Sequence, residues 1–139
     1  MTVIVDASAL LSLGLDELSA NVVEHQFNGW IGRGELICAP TLAIYEMFSG
    51  ITRRAAADRT TLDRMPGIVE VVLRLPIDYV PPEPDQLRTV EIAVRLQRSS
   101  AYDAAYISLA ERLGAELWTL DGPLYRNASS FGYPVRLFA

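Results

Sequence analysis

Short, uniformly apolar runs alternate along this chain with longer stretches whose apolar residues recur every three or four positions. Thr2–Val5, Glu35–Ala39, Pro76–Val80, Glu116–Leu120 and Tyr133–Phe138 are the short runs, and bounded apolar segments of that length predict buried strands. Between the first two, Ala7–Leu13 predicts a short helix ended by Gly14. Asp16-Glu17 then opens an amphipathic helix reaching Trp30 or Ile31, with Leu18, Val22, Val23, Phe27, Trp30 and Ile31 on its apolar stripe. Acids in its first turn and Arg33-Gly34 past its end suit the helix dipole. Pro40 starts a helix through Glu46 that runs to Gly50 or slightly beyond. Thr52 to about Leu75 reads as helical, with Pro66-Gly67 as its candidate break.

The second half repeats the pattern. Pro81-Pro82-Glu83-Pro84 is a stiff connector, Asp85–Arg98 is a helix, and Ser99-Ser100 separates it from a helix over Tyr102–Leu113 capped by Gly114. Gly122-Pro123 makes a turn that leads into a short helical piece. Such alternation predicts one domain over residues 1–139, a three-layer α/β/α arrangement with a parallel sheet of four to five strands. Ligands of these folds sit at the carboxyl ends of the strands.

Four carboxylates break the apolar pattern. Asp6 closes Thr2-Val3-Ile4-Val5, Glu46 interrupts Leu42–Phe48, Asp103 opens the apolar stretch to Ile107, and Asp121 ends Leu117-Trp118-Thr119-Leu120. Each alone has an ordinary explanation: Asp6 as a helix N-cap, Asp103 as a dipole-stabilising first-turn acid, Asp121-Gly122-Pro123 as a turn. Glu46 fits none of these, because its helix is apolar on nearly every side. A core carboxylate is costly unless it is paired or bound to a metal. Asp6 and Asp121 both lie just past a strand, and Asp103 shares a helix face with Tyr106, Ile107 and Ala110. Together the four point to one convergent site.

Composition narrows the chemistry. Half of the 139 residues are apolar and 21% are charged, as in a folded domain rather than a disordered chain. No apolar run approaches the roughly 18–20 residues that span a bilayer. The chain opens on a strand-like run without a basic lead, so neither a signal peptide nor a membrane is expected and the cytoplasm is the expected location. Cys38 is the only cysteine, which excludes an intramolecular disulfide and a Cys-rich zinc site and leaves a buried structural thiol. His25 is the only histidine and reads as a surface residue. All twelve cationic residues are Arg. Without Lys there is no Walker-type phosphate loop and no Schiff-base chemistry. A net charge of −5 argues against non-specific coating of nucleic acid.

With neither Lys nor Arg inside the segments that carry the acids, a hard cation is the natural counter-charge. Mg²⁺ or Mn²⁺, as one or two ions, fits an all-carboxylate site. Two such ions about 3.5–4 Å apart activate a water and stabilise the leaving oxygen of a phosphoryl displacement without a His or Lys base. Ser8, two residues beyond Asp6, and Thr119, on the strand face of Asp121, are candidates to orient a carboxylate or a bound water.

These residues resemble the PIN-domain ribonuclease family, in particular the VapC-type toxins of toxin–antitoxin pairs. The resemblance rests on Val3-Ile4-Val5-Asp6-Ala7-Ser8-Ala9, on Pro40-Thr41 leading to Glu46, on Tyr102-Asp103-Ala104-Ala105-Tyr106-Ile107-Ser108-Leu109-Ala110, and on Leu117-Trp118-Thr119-Leu120-Asp121. It covers nearly the whole chain. It implies a sheet of strand order 3-2-1-4-5, with Asp6, Glu46, Asp103 and Asp121 as catalytic metal ligands. It also implies endonucleolytic cleavage of RNA to 5′-phosphate and 3′-hydroxyl ends, a homodimer, and inhibition by a VapB-like antitoxin. Arg53, Arg54, Arg59, Arg64, Arg95 and Arg98 then become candidates for RNA contact, against solvated helix faces. Leu10, Leu11, Leu13, Leu15, Phe27 and Trp30 become either an antitoxin groove or ordinary core. Two other readings are a non-catalytic interaction module and a metal-dependent phosphatase or phosphotransfer domain. The latter is weakened by Ser8 where an Asp-x-Asp motif has its second acid.

Overall fold

Chain order in the computed structural model, which describes residues 1–98 and 100–139, is β1 (Thr2–Val5), α1 (Ala7–Leu15), α2 (Ala20–Gly32), β2 (Leu36–Pro40), α3 (Leu42–Ala57), α4 (Arg59–Leu73), β3 (Asp78–Val80), α5 (Gln86–Arg95), α6 (Tyr102–Leu113), β4 (Glu116–Thr119), α7 (Gly122–Ser130) and β5 (Val135–Leu137). All strand pairs are parallel and the sheet order is β3-β2-β1-β4-β5. In β1, Val3 pairs with Ile37 on one side, and Ile4 pairs with Leu117 on the other. Ile4, Val5 and Leu117 are fully buried, as expected for central strands covered on both faces. α1 packs on α2, α3 and α4, whereas α6 packs on α5 and crosses β1, β2 and β4. Right-handed crossovers place these two sets on opposite faces.

The order has one reversal that matters. From β1 the chain steps to β2 and then β3, and it returns across the sheet to β4. β1 and β4 are therefore adjacent, with their following helices α1 and α7 leaving in opposite directions. That is the topological switch point where open parallel sheets carry ligands.

Several boundaries differ from those the sequence predicts. Gly14 does not end α1, because its role is packing: a Cβ there would lie 2.6 Å from Val72 Cγ1 on α4. α1 ends instead on Asp16, in the left-handed region at φ 53°, and α2 begins at Ala20 rather than at Asp16-Glu17. Pro40 closes β2, pairing with Val80 of β3, and the next helix starts at Leu42. Gly50 likewise does not stop α3, which continues to Ala57 with Leu11 packed against Gly50.

The break between α3 and α4 falls at Asp58, not at Pro66-Gly67. Asp58 is extended and caps α4, accepting hydrogen bonds from Thr60 N at 3.1 Å and Thr61 Oγ1 at 2.8 Å. Pro66 is tolerated mid-helix because its turn is exposed from Leu62 to Gly67, so the carbonyl it leaves unpaired can reach water. α5 stops at Arg95, short of the expected Arg98. Of the Ser99-Ser100 separator, Ser99 lies outside the described residues.

Phe27 and Trp30 are core. Trp30 meets Phe27 and Trp118 at 5.5 Å and Phe138 at 6.0 Å between ring centroids. Leu10 is fully buried, with Leu11, Leu13 and Leu15 packed against the same core. Cys38 is buried and His25 is exposed. Among the described residues, no helix is long and apolar enough to cross a membrane.

Candidate active site

Asp6 follows the last residue of β1, and its backbone N–H extends the ladder to Trp118 O at 3.3 Å. Thr119 ends β4 and Asp121 follows two residues later, so adjacent strands deliver both acids to one edge of the sheet. Asp6 is N-cap of α1, its Oδ1 accepting from Ala9 N at 3.1 Å. Asp121 is N-cap of α7, its Oδ1 accepting from Leu124 N at 3.0 Å. The capping roles are real, and they do not compete with a site. Capping fixes one oxygen of each carboxylate at the start of the following helix.

Ser8 and Thr119 hold Asp6 from both sides. Ser8 Oγ donates to Asp6 Oδ1 at 2.7 Å, and Thr119 Oγ1 donates to Asp6 Oδ2 through a short hydrogen bond. The same Thr119 oxygen accepts from Asp121 N at 2.9 Å. One fully buried hydroxyl therefore joins the two strand-end acids. Burial pushes the Asp6 carboxyl above the usual carboxylate range, the Thr119, Ser8 and Ala9 donors pull it back, and the charge of Asp121 pushes it up again.

Glu46 arrives from the second turn of α3 and is half-buried rather than sealed in the core. Its partner is Tyr106 of α6, whose hydroxyl donates to Glu46 Oε1 at 2.6 Å and accepts from Ala7 N at 3.2 Å. One phenolic oxygen therefore ties the Glu46 helix to the first turn of α1, next to Asp6. Burial raises Glu46, the Tyr106 bond opposes it, and the charges of Asp103 and Asp6 raise it further. Tyr106 itself is held far above the usual phenol range by burial and by the Glu46 charge.

Asp103 sits in the first turn of α6, half-buried, with Arg98 Nη2 at 2.9 Å from its Oδ2. No Arg lies inside the segments that carry the acids, yet Arg98 precedes the apolar segment and returns to its start, so Asp103 has a protein counter-charge as well. Burial raises Asp103, Arg98 lowers it, and Asp121 raises it. From the sequence Arg98 is a candidate RNA contact rather than a partner of Asp103, and Tyr106 is not singled out as a site residue. Tyr106 lies one turn from Asp103, which is the signal that could have found it.

Across the four acids, Asp6 feels Asp121, Glu46 feels Asp103 and Asp6, and Asp103 feels Asp121. The set converges and repels itself, with Arg98 as the cation paired to it. Among the described residues, no three Asp, Glu, His or Cys side chains are close enough to hold a metal ion as they stand. An all-oxygen, mutually repelling set of this kind suits Mg²⁺ or Mn²⁺, since Mg²⁺ keeps several waters and takes only one or two direct carboxylates.

Of the candidate RNA contacts, Arg53 lines a cavity beside Glu46. Arg54 pairs with Glu17 at 3.6 Å, Arg59 with Asp63 at 3.3 Å, and Arg95 lies 5.5 Å from the Phe131 ring centre.

Residues 3–129 match the family model described as PIN domain. Ribonuclease VapC12 of Mycobacterium tuberculosis is 32% identical over 137 residues, covering 97% of this chain and 96% of that protein. Among solved structures, PAE2754 of Pyrobaculum aerophilum superposes with a TM-score of 0.71 at 21% identity, over 99% of this chain and 90% of that one. VapBC2 of Rickettsia felis does so with a TM-score of 0.69 at 10% identity, over the whole of both chains. The two superpositions establish the fold, and the family-model match over most of the chain and the VapC12 identity establish the descent. The chain belongs to the PIN-domain family, in its VapC ribonuclease group.

Proposed function

We infer that this chain is an endoribonuclease and the toxin of a VapBC-type toxin–antitoxin pair. It hydrolyses RNA phosphodiester bonds at Asp6, Glu46, Asp103 and Asp121 with Mg²⁺ or Mn²⁺. The observation that carries the reading is the approach of four carboxylates from the ends of β1 and β4 and from α3 and α6, near enough that the charge of Asp121 raises Asp6 and Asp103 and those two acids raise Glu46. The relationship to Ribonuclease VapC12 supports the reaction class.

A bound Mg²⁺ or Mn²⁺ supplies an activated water and neutralises charge at the scissile phosphate. The residues of the chain prepare for that. Ser8 and Thr119 donate to both oxygens of Asp6 and oppose the proton uptake that its burial favours. Tyr106 does the same for Glu46. Arg98 occupies Asp103 until another cation competes for it. The lone exposed histidine and the absence of Lys leave no imidazole or amine base in the site, and activation of water by a metal requires neither.

The partner belongs to the same reading. VapBC2 of Rickettsia felis is a pair solved on a DNA fragment from its own promoter, which supports a VapB-like antitoxin for this chain. A homodimer and a cytoplasmic location complete the proposal. Purified protein is incubated with RNA and Mn²⁺, with and without chelator, beside an Asp6→Asn variant, and the product ends are mapped. Cleavage to 5′-phosphate ends that both chelator and Asp6→Asn abolish is expected. Cleavage that survives both sinks the assignment.

A further inference from the structure

An open cavity of about 350 Å³ lies directly beside Glu46. On α3 its wall is a single row, Leu42, Tyr45, Ser49 and Arg53, spaced at three and four residues as one helix face requires. Tyr102 of α6 completes it. The two tyrosines are 75% and 60% exposed, a large aromatic area left in water at the mouth of a site. Each immediately precedes a candidate catalytic acid, Tyr45 before Glu46 and Tyr102 before Asp103. The Tyr45 ring is not free to lie anywhere, because Phe48 meets it edge-on at 5.9 Å and 82°.

Electrostatics makes these rings more informative. The chain carries a net charge of −5 and has no Lys, and the acids of the site repel a phosphate backbone. Affinity for nucleic acid built on phosphate contacts and counterion release is therefore poorly supplied here. Stacking of bases on aromatic rings is short-ranged, tolerant of sequence and available only to bases that are out of a duplex. Arg53, at the far end of the row, is the cation of the cavity wall and can take a phosphate of a strand whose bases lie on the tyrosines.

We propose that Tyr45 and Tyr102 form a stacking subsite for unpaired RNA bases next to the scissile position, with Arg53 holding the backbone of the same strand. The proposal rests on the endoribonuclease reading and adds to it the residues that grip the unpaired bases of the substrate strand. Both rings act on binding, so their loss raises KM far more than it lowers kcat.

The test is fluorescence anisotropy of a labelled short oligoadenylate and of an abasic oligoribophosphate of equal length. Both are measured in chelator so that nothing is cleaved, on the parent chain and on Tyr45→Ala, Tyr45→Phe, Tyr102→Ala and Tyr102→Phe variants. Each alanine variant is expected to bind oligoadenylate on the order of tenfold more weakly. The phenylalanine variants should bind like the parent, and the abasic strand should bind weakly and indifferently to all four substitutions. Because both side chains are exposed, thermal melts should coincide across the set. Parent-like affinity in both alanine variants, or equal binding of abasic and adenine strands, overturns the subsite. Neither result touches the nuclease reading, which stands or falls on metal-dependent cleavage and the Asp6→Asn comparison.

Discussion

Replacing Tyr106 with Phe removes one oxygen that serves two elements at once. Its hydroxyl donates to Glu46 Oε1 at 2.6 Å and accepts from Ala7 N at 3.2 Å. Phe keeps the ring in the core, so the change isolates those two bonds. A hydrogen bond to a charged group contributes about 1.5–3 kcal/mol, and a buried donor left without an acceptor costs about 1–3 kcal/mol. Glu46 retains partial access to water, which restores part of the first quantity, whereas the Ala7 amide is buried. A net loss of about 2 kcal/mol follows, on the order of 5–10 °C in Tm.

The functional effect has a definite sign. Burial and the charges of Asp103 and Asp6 raise Glu46, and Tyr106 is what opposes them. Without that donor Glu46 holds its proton to higher pH, because burial and the charges of Asp103 and Asp6 then act unopposed. Urea unfolding measures the first effect, and the acid limb of cleavage against pH, at limiting Mn²⁺, measures the second. Tyr106→Phe with the parent's acid limb and Mn²⁺ dependence would refute the idea that this hydroxyl positions Glu46.

Asp6→Asn separates activity from stability. Asn caps a helix as well as Asp does, and the Ser8 and Thr119 hydroxyls can turn to accept, so the variant should be inactive yet about 1 kcal/mol more stable at neutral pH. The Asp6 carboxyl is pushed up in the folded chain, so its contribution to stability is greatest in acid and is lost as pH rises through its folded pKa. The advantage of Asp6→Asn should therefore grow from mildly acidic to neutral pH in urea midpoints, and a shrinking advantage contradicts it. Arg98→Gln breaks a pair about one-third exposed on each side and should cost less than about 1 kcal/mol. By freeing Asp103 it should tighten Mn²⁺ binding several-fold in a calorimetric titration, where weaker binding would tell against competition. Gly14→Ala places a Cβ 2.6 Å from Val72 Cγ1 and should lose about 1–2 kcal/mol after the gain in helix propensity. Gly67→Ala on exposed α4 meets nothing within 4 Å and should gain about 0.5–1 kcal/mol. Melts that shift both variants the same way would show that packing does not explain Gly14.

Local features were legible because they depend only on neighbours along the chain. Apolar runs read as strands, and acids at their ends, Asp6 and Asp121, could be placed at the ligand-binding edge of a parallel sheet. Ser8 and Thr119 were reachable by the same short spacings. What could not be read locally depends on distant partners. Glu46 looked like an unexplained core acid because Tyr106, 60 residues away, is invisible to a pattern on α3. Asp103 looked unpaired because Arg98 is outside the helix it joins. Gly14 and Gly50 read as helix ends, when Val72 and Leu11 fill the space that a side chain would need. Asp58 displaced Pro66 as the break because a capping side chain outweighs a proline whose turn faces water.

The central claim is that Asp6, Glu46, Asp103 and Asp121 make one divalent-cation site. Titration of Mn²⁺ into the parent chain and into Asp6→Asn, Glu46→Gln, Asp103→Asn and Asp121→Asn tests it without any substrate. Saturable binding in the parent that weakens at least tenfold in Asp6→Asn and measurably in each of the other three is the predicted result. Parent-like binding in all four variants would contradict it.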